Sequence, residues 1–267
     1  MSQPRDLERP ADGPLVVFDV GNTNTVCGVF VGDELVEDLR LSTSADQTAD
    51  EYGAVLLPLF GRAGLEPTEA TAVVISSVVP PLHRTLETLA RRYFHCEPLF
   101  VEPGIRTGLP IRYDNPSEVG ADRIVNAVAA RELYGCPVVV VDFGTATTFD
   151  VVSREGEYVG GIIAPGVGIA AEALFARASR LFRVDIQRPE RLVGRNTAGS
   201  MQSGIYYGYL SLVDGILERL IAELGDLKTV VATGGHAELI AADSRYIREV
   251  SSRLTLIGLK ILHERNR

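Results

Sequence analysis

Lysine is almost absent from this chain of 267 residues, which contains only Lys228 and Lys260. Neither lysine follows a glycine. A P-loop needs the run Gly-Lys-Ser/Thr, because its lysine reaches the phosphates and its hydroxyl reaches the metal ion. The sequence therefore excludes a P-loop, and any binding of nucleotide phosphates must use other groups.

Cysteines and long apolar runs are scarce as well. Cys27, Cys96 and Cys136 are far apart and form no Cys-x-x-Cys pair. This pattern predicts neither a disulfide framework nor a structural zinc site, and it favours a reducing cytoplasm. No apolar run approaches the ~18–20 residues of a membrane span, so we expect no membrane partner.

Basic residues are outnumbered by acidic ones, 26 against 35, and the formal net charge is −9. A negative protein repels a nucleic-acid backbone at long range, so we expect no nucleic-acid partner. A small anionic substrate is still possible, because a site can be locally positive on an acidic protein.

The chain is organised as two similar halves after a polar lead-in at 1–13 that we expect to be disordered. Short apolar runs at 15–20 and 138–141 predict buried strands, and each is followed by a turn of the form Asp-x-Gly. Further strand patterns and then helices follow in each half. The fold class is therefore predicted as α/β, with duplicated domains at 14–135 and 136–267 that face a central cleft.

Apolar spacing also predicts helices in both halves. One runs from near Gly120 to Tyr134, a second spans 167–181, and a long third spans 200–224. The apolar stripe of the third is wide enough for a core and for a dimer contact.

The turn after the first strand has the sequence Asp-Val-Gly-Asn-Thr-Asn-Thr at 19–25. Gly21 lets the backbone approach a ligand, and the following side chains and amides are suitable donors to phosphate oxygens. Asp19 could bind Mg²⁺ directly or through water, since this cation prefers oxygen ligands. By itself the pattern also fits an ordinary polar hairpin turn.

The second turn, Asp-Phe-Gly-Thr at 142–145, makes the functional interpretation stronger. We expect Asp19 and Asp142 to converge on one site, where a cation would relieve the repulsion between their carboxylates. Asp-Phe-Gly also occurs in protein kinases, but this chain has neither His-Arg-Asp nor a strand lysine.

A third segment, 113–123, leads into the helix that begins near Gly120. Asp122 and Asn126 are four residues apart and share one face of that helix. Asp122 could be present only because a negative charge is favourable at a helix N-terminus, or it could be a base for a substrate hydroxyl. In the second case Arg123 would bind a substrate carboxylate with its guanidinium fork.

Five motifs together resemble one known family. They are DVGNTNT at 19–25, NPSEVGADRIVNA at 115–127, VDFGTATTFD at 141–150, GGIIAPG at 160–166 and GRNTAGSMQSG at 194–204. In this order and register the chain resembles type III pantothenate kinase. The paired Asp-x-Gly turns are shared with the wider actin-like ATPase and sugar kinase superfamily, whereas the Gly-Ala-Asp-Arg segment is more specific.

The resemblance implies ATP-dependent phosphorylation of pantothenate to 4′-phosphopantothenate, the first step of coenzyme A synthesis. It implies two ribonuclease H-like domains and a cytoplasmic homodimer. Mg²⁺ would accompany ATP and reach Asp19 through water, and Asp142 would hold K⁺ or NH₄⁺.

The resemblance also implies a role for each matching position. ATP would be bound by Asp19, Val20, Gly21, Asn22, Thr23, Asn24, Thr25, Val26 and Thr145. Pantothenate would be bound by Tyr113, Gly120, Ala121, Asp122, Arg123 and Thr197, with Asp122 as the proton acceptor.

Two other functions remain as alternatives. One is a non-catalytic regulatory relative, such as a transcription accessory factor; retention of Asp19, Asp122 and Asp142 argues against it. The other is a kinase for a different small hydroxylated acid or sugar, which the Gly-Ala-Asp-Arg segment disfavours.

Overall fold

The computed structural model describes residues 13–178, 180–225 and 227–267. The predicted lead-in at 1–13 lies outside the described residues except for Gly13. Contacts divide the chain into two compact units. The first contains 13–107, 120–125 and 255–267, and the second contains 108–119 and 126–254.

A five-stranded sheet forms the centre of the first unit. Its strands β1 to β5 are Leu15–Val20, Asn24–Val31, Glu34–Ser42, Ala72–Ser77 and Pro98–Phe100. Their order is β3-β2-β1-β4-β5. Strands β1, β2 and β3 pair antiparallel, whereas β4 is parallel to β1 and β5 is parallel to β4.

The second unit repeats this topology. Its strands β6 to β10 are Val138–Phe143, Ala146–Val152, Tyr158–Pro165, Thr229–Gly234 and Glu249–Val250. Their order is β8-β7-β6-β9-β10, with β6 to β8 antiparallel and β9 and β10 parallel to their neighbours. The same strand order and directions occur twice, which confirms the predicted duplicated α/β fold.

Seven α-helices accompany these strands in the described part of the chain. Helices α1 to α7 are Ala49–Arg62, His83–Tyr93, Ala121–Tyr134, Val167–Arg177, Thr197–Leu224, Ala237–Ala241 and Leu254–Asn266. Short 3₁₀ turns occur at Pro67–Glu69, Pro80–Leu82 and Pro116–Glu118. Each unit packs its apolar helix faces against its own buried strands.

Two predicted helix ends are wrong. Helix α4 ends at Arg177 rather than at 181, because Ala178 has an extended backbone with ψ 103°. Helix α5 begins at Thr197 rather than at 200. The Asn196 side chain accepts a hydrogen bond from the Gly199 N–H at 2.7 Å and so caps the helix N-terminus.

The C-terminal helix α7 groups with the first unit, whereas the sequence prediction placed one boundary between residues 135 and 136. Leu256 of α7 lies close to Gly28 of β2, and Gly258 lies against Val125 of α3. The apolar residues of α7 are consistent with burial but do not specify which of two similar sheets the helix covers.

Gly258 gives a prediction about stability. A Cβ at this position would stand 2.7 Å from Val125 Cγ1 and 3.0 Å from the Val125 carbonyl carbon. Overpacking of this kind costs ~1–3 kcal/mol, so we expect Gly258→Ala to lower the thermal unfolding midpoint by several degrees.

Gly61→Ala in α1 is the matched control, because a Cβ at Gly61 meets nothing within 4 Å. Alanine is the better helix former by about 1 kcal/mol, so this variant should be as stable as the parent chain or more stable. Equal midpoints for the two alanine variants would contradict the close helix contact at Gly258.

Candidate active site

The central strand of each sheet contains one residue that is not fully buried, and in both strands it is an aspartate. These residues are Asp19 in β1 and Asp142 in β6. Each is the fifth residue of its strand and precedes a buried residue, a glycine and the turn to the next strand. The two aspartates are therefore equivalent positions of the duplicated fold.

The turn after Asp19 is compact and exposed. The Gly21 N–H donates to the Asn24 carbonyl at 3.0 Å, and residues 22–24 are exposed. A Cβ on Gly21 would stand 3.2 Å from that carbonyl oxygen, so a side chain there would press on the turn. The turn offers Asn and Thr side chains to an anionic ligand.

Thr25 connects this turn to helix α1. Its buried Oγ1 lies 2.8 Å from Thr43 Oγ1 and 3.3 Å from Tyr52 Oη, both within hydrogen-bond distance. The Thr43 N–H donates to the Thr23 carbonyl at 2.9 Å. Burial raises the pKa of Tyr52, with the Thr25 bond opposing, so its hydroxyl stays protonated at neutral pH.

Helix α3 and strand β9 surround the second aspartate. Asn126, which is 1% exposed, donates from Nδ2 to Asp142 Oδ2 at 3.0 Å. Gly234 at the end of β9 has φ +91°, and a Cβ there would stand 2.6 Å from Asp142 Oδ1. Glycine at 234 therefore leaves room for the carboxylate and permits the left-handed backbone.

The turn after Asp142 approaches the start of helix α4. Gly166, the N-cap of α4, donates its N–H to the Thr145 carbonyl at 3.1 Å, and a side chain at 166 would collide with that carbonyl. Thr147 Oγ1 lies 3.4 Å from Tyr209 Oη of α5. This pair corresponds to Thr25 and Tyr52, so each turn is supported by a threonine and a helix tyrosine.

Asp122 lies in the first turn of helix α3. Its Oδ1 accepts the Arg123 N–H at 2.8 Å, and a Cβ on Gly120 would stand 2.5 Å from the same oxygen. Burial raises the pKa of Asp122, although the Arg123 N–H and the Arg123 charge act in the opposite direction. A carboxylate with a raised pKa is better able to accept a proton.

The remaining substrate candidates lie on other elements. Tyr113 belongs to the irregular segment before α3, and Thr197 is the first residue of α5. Thr197, Asn196 and Arg195 line a cavity of about 770 Å³ in the second unit. The apolar wall of this cavity includes Leu174 of α4 and Leu212 of α5.

Comparison with known proteins identifies the family. A family model described as type III pantothenate kinase matches residues 15–219. The type III pantothenate kinase of Koribacter versatilis is 57% identical over 94% of this chain and 96% of its own length. That of Geobacter sulfurreducens is 59% identical over 95% of this chain and 99% of its own. The chain belongs to the type III pantothenate kinase family.

As a member of this family the chain is an enzyme, a kinase that uses ATP. Pantothenate phosphorylation in coenzyme A synthesis is the reaction of the family. The predicted family and activity are thus confirmed. The alternatives of a non-catalytic regulator and of a kinase for a different small hydroxylated acid or sugar are not supported.

Solved structures of lower identity share the fold of this kinase. The ethanolamine utilization protein EutJ from Carboxydothermus hydrogenoformans has a TM-score of 0.55 at 15% identity, covering 96% of this chain and 92% of its own. MreB 5 of Spiroplasma citri bound to AMPPNP also has a TM-score of 0.55, at 12% identity, covering 96% and 97%. At this identity the likeness shows the actin-like fold alone.

The kinase has no preformed protein cage for a metal among its described residues, since no three His, Cys, Asp or Glu side chains cluster there. A cation beside Asp19 or Asp142 would therefore take its other ligands from phosphate, water, backbone carbonyl, hydroxyl or side-chain amide oxygens. K⁺ and ATP-bound Mg²⁺ both accept such oxygen ligands, so the residues present fit these ions.

Two negative predictions can be compared with the described part of the kinase. Cys27, Cys96 and Cys136, all within it, form no disulfide. None of its helices there is both long and apolar enough to cross a membrane.

Several residues around the predicted site were missed by sequence reasoning. They are Tyr52 and Tyr209, which lie beside the turn threonines, and Ser76, which is paired with Asp19. Their positions follow from helix packing and strand pairing, which short motifs do not encode. Gly234 belongs to a Gly-Gly pair that ends an apolar strand run, which predicts a turn or a close approach of adenosine to the backbone. Its contact with Asp142 was not predicted.

Proposed function

We propose that this kinase phosphorylates the primary hydroxyl of pantothenate with Asp122 as the proton acceptor and with both Asp-x-Gly turns acting on one ATP. The family match over residues 15–219 is the observation that supports this reaction. The assignment of individual residues rests on their local geometry together with the resemblance of their motifs.

The surroundings of Asp122 support its role as base. A primary alcohol is a weak nucleophile, so its proton must leave as the bond to phosphorus forms. Asp122 is partly buried, has a raised pKa, and is next to Arg123, which is 8% exposed. In this proposal Arg123 binds the pantothenate carboxylate, and Tyr113, Gly120, Ala121 and Thr197 complete the substrate contacts.

The ATP phosphates are bound by residues Asp19 to Val26 and by Thr145. Support comes from the exposed turn amides and hydroxyls at 22–24 and at 144–145. Mg²⁺, when bound with ATP near Asp19, supplies positive charge to the phosphates. The turns hold the phosphates in place, and this positioning replaces the lysine that a P-loop would provide.

Asp142 is proposed to hold K⁺ or NH₄⁺. Its carboxylate is oriented by Asn126 through Oδ2, and its Oδ1 lies where a side chain at 234 would stand, so glycine at 234 accommodates the carboxylate. A carboxylate held in this way is a fixed negative group to which a monovalent cation can bind.

A homodimer and a cytoplasmic location complete the proposal. Ile169 and Leu174 of α4 are exposed, and Ile163 of β8 is 63% exposed. Exposed apolar patches commonly mark contacts between proteins, and we propose a second copy of the chain here. The absence of a disulfide among the three cysteines agrees with a reducing compartment.

A coupled assay of ADP release tests the reaction. We expect turnover with ATP, Mg²⁺ and pantothenate, and at least about a hundredfold lower kcat/KM for sugars and for other small hydroxy acids, which lack pantothenate's amide chain. ADP release that is independent of pantothenate, or a preference for a sugar, would overturn the proposal. Reactions without the protein and reactions without an acceptor are the controls.

A further inference from the structure

The segment Gly108–Val119 lies directly before Gly120 and has little regular structure of its own. Its one helical element is the 3₁₀ turn at Pro116–Glu118. Segments of this kind have low intrinsic stability, so the orientation of their side chains depends on the contacts that hold them. Tyr113, a proposed pantothenate contact, is part of this segment.

Tyr158, the first residue of strand β8, holds the segment through its backbone. Its N–H donates to the Pro110 carbonyl at 2.8 Å, and its carbonyl accepts the Arg112 N–H at 2.8 Å. The Arg112 guanidinium also contacts the neighbouring Glu157 carboxylate at 2.8 Å. Residues 110–112 thus add one bridge of parallel pairing to the edge of the sheet.

The ring of Tyr113 lies beside this anchor. Its centroid is 6.3 Å from that of Tyr158, with the two rings tilted by 46°. Its nearest ring atom is 3.6 Å from where a Cβ on Gly160 would stand, and Gly160 has φ +125°. Tyr113 therefore packs between the Tyr158 ring and the backbone at Gly160, and its position depends on the position of Tyr158.

A buried carboxylate fixes Tyr158 from the other side. Asp150 of β7 is fully buried, and its Oδ1 accepts the Tyr158 hydroxyl at 2.8 Å. Its Oδ2 accepts the Thr148 hydroxyl at 3.0 Å. These two hydrogen bonds fix the carboxyl group of Asp150, so its contact with the Tyr158 hydroxyl restrains a tyrosine ring that is itself fully buried.

We infer that Asp150 and Tyr158 are positioning residues for pantothenate, because they hold the segment that carries Tyr113. The inference rests on the proposed contact between Tyr113 and pantothenate. Neither residue touches the substrate in this account. Their effect is to reduce the conformational freedom of Tyr113 before the substrate binds.

The test measures steady-state kinetics for Tyr158→Phe, which removes the hydroxyl and keeps the ring. We expect KM for pantothenate to rise about tenfold, with kcat and KM for ATP within about twofold, since a binding contact is weakened equally in ground and transition states. Asp150→Asn keeps one acceptor oxygen and should show a smaller rise than Asp150→Ala. Arg112→Gln, at an exposed ion pair, should raise the same KM about threefold without endangering the fold.

Tyr246→Phe is the matched control, because it removes the hydroxyl of a partly exposed tyrosine in the same unit, far along the chain from this segment.

Tyr113→Ala tests the proposed pantothenate contact itself, so it distinguishes failure of the inference from failure of the proposal on which the inference rests. If Tyr113→Ala raises KM for pantothenate while Tyr158→Phe and Arg112→Gln do not, the inference is wrong and the Tyr113 contact stands. If Tyr113→Ala leaves KM unchanged, both are wrong. Equal rises in both substrate KM values for Tyr158→Phe would also overturn the inference.

Discussion

Replacing Asp122 by asparagine is expected to lower kcat about a thousandfold, the middle of the range that a general base contributes. The amide has nearly the same shape but cannot accept the hydroxyl proton. Binding of pantothenate should change by less than about threefold, because Arg123 is proposed to supply the charged contact. Single-turnover kinetics and calorimetric titration with pantothenate measure the two quantities separately.

The pH dependence gives an independent check on Asp122. Burial raises the pKa of this carboxyl, so the base becomes protonated and inactive at a higher pH than an ordinary aspartate would. We expect kcat/KM of the parent chain to fall on the acid side, with a midpoint above ~3.9. The residual activity of Asp122→Asn should lack this fall.

The Asp122→Asn substitution should lower activity without lowering stability. A raised pKa in the folded state means that ionisation of Asp122 opposes folding, and the penalty is present once the pH exceeds the folded pKa. At neutral pH Asp122→Asn should therefore be at least as stable as the parent chain. Asp46→Asn, at an exposed loop position of the same unit, is the control and should change neither quantity. Full turnover by Asp122→Asn would remove the base from the mechanism.

Replacing Asp142 by asparagine is expected to lower kcat/KM about a hundredfold and to abolish activation by K⁺ or NH₄⁺. Asparagine would hold the proposed cation less well, and loss of one group that stabilises developing negative charge typically costs ~10²–10³ in rate. The parent chain should be much less active in Na⁺-only buffer than in K⁺ buffer, whereas the variant should be equally weak in both. Rates measured across a series of chloride salts at constant ionic strength give the comparison.

Asp185→Asn is the matched control for this experiment, since Asp185 is exposed in the same unit. It should keep both the parent rate and the response to K⁺. A parent chain that is equally active in Na⁺ and K⁺ would contradict the role proposed for Asp142. So would an Asp142→Asn variant that still responds to K⁺.

Much of the fold could be predicted because runs of β-branched residues indicate buried strands. The run at 138–141 is unbroken, and β1 was placed at its observed bounds, 15–20. The end of α4 was not predictable, since Ala178 is an excellent helix former and nothing nearby is a Gly or Pro stop. The start of α5 could have been predicted, because asparagine, which stands at 196, is a favoured capping residue.

Site residues could be predicted only where they belong to short sequence motifs. Asp19, Gly21 and Asp122 lie in short characteristic segments, so their types and spacing indicate chemistry directly. The contact between Asn126 and Asp142 joins residues 16 positions apart and depends on how α3 packs on β6. The pairs Thr25–Tyr52 and Thr147–Tyr209 depend on longer separations still, and only the folded chain reveals them.

The duplicated sheets differ in the residue that follows the strand partner of each aspartate. Strand pairing sets Ser77 opposite Val20 in the first unit and Gly234 opposite Phe143 in the second. The volume that a side chain at 234 would need is already occupied by Asp142 Oδ1, 2.6 Å from the position of a Cβ. A mutation that adds even one carbon at 234 would therefore displace either the carboxylate or the backbone, whereas position 77 already carries a side chain.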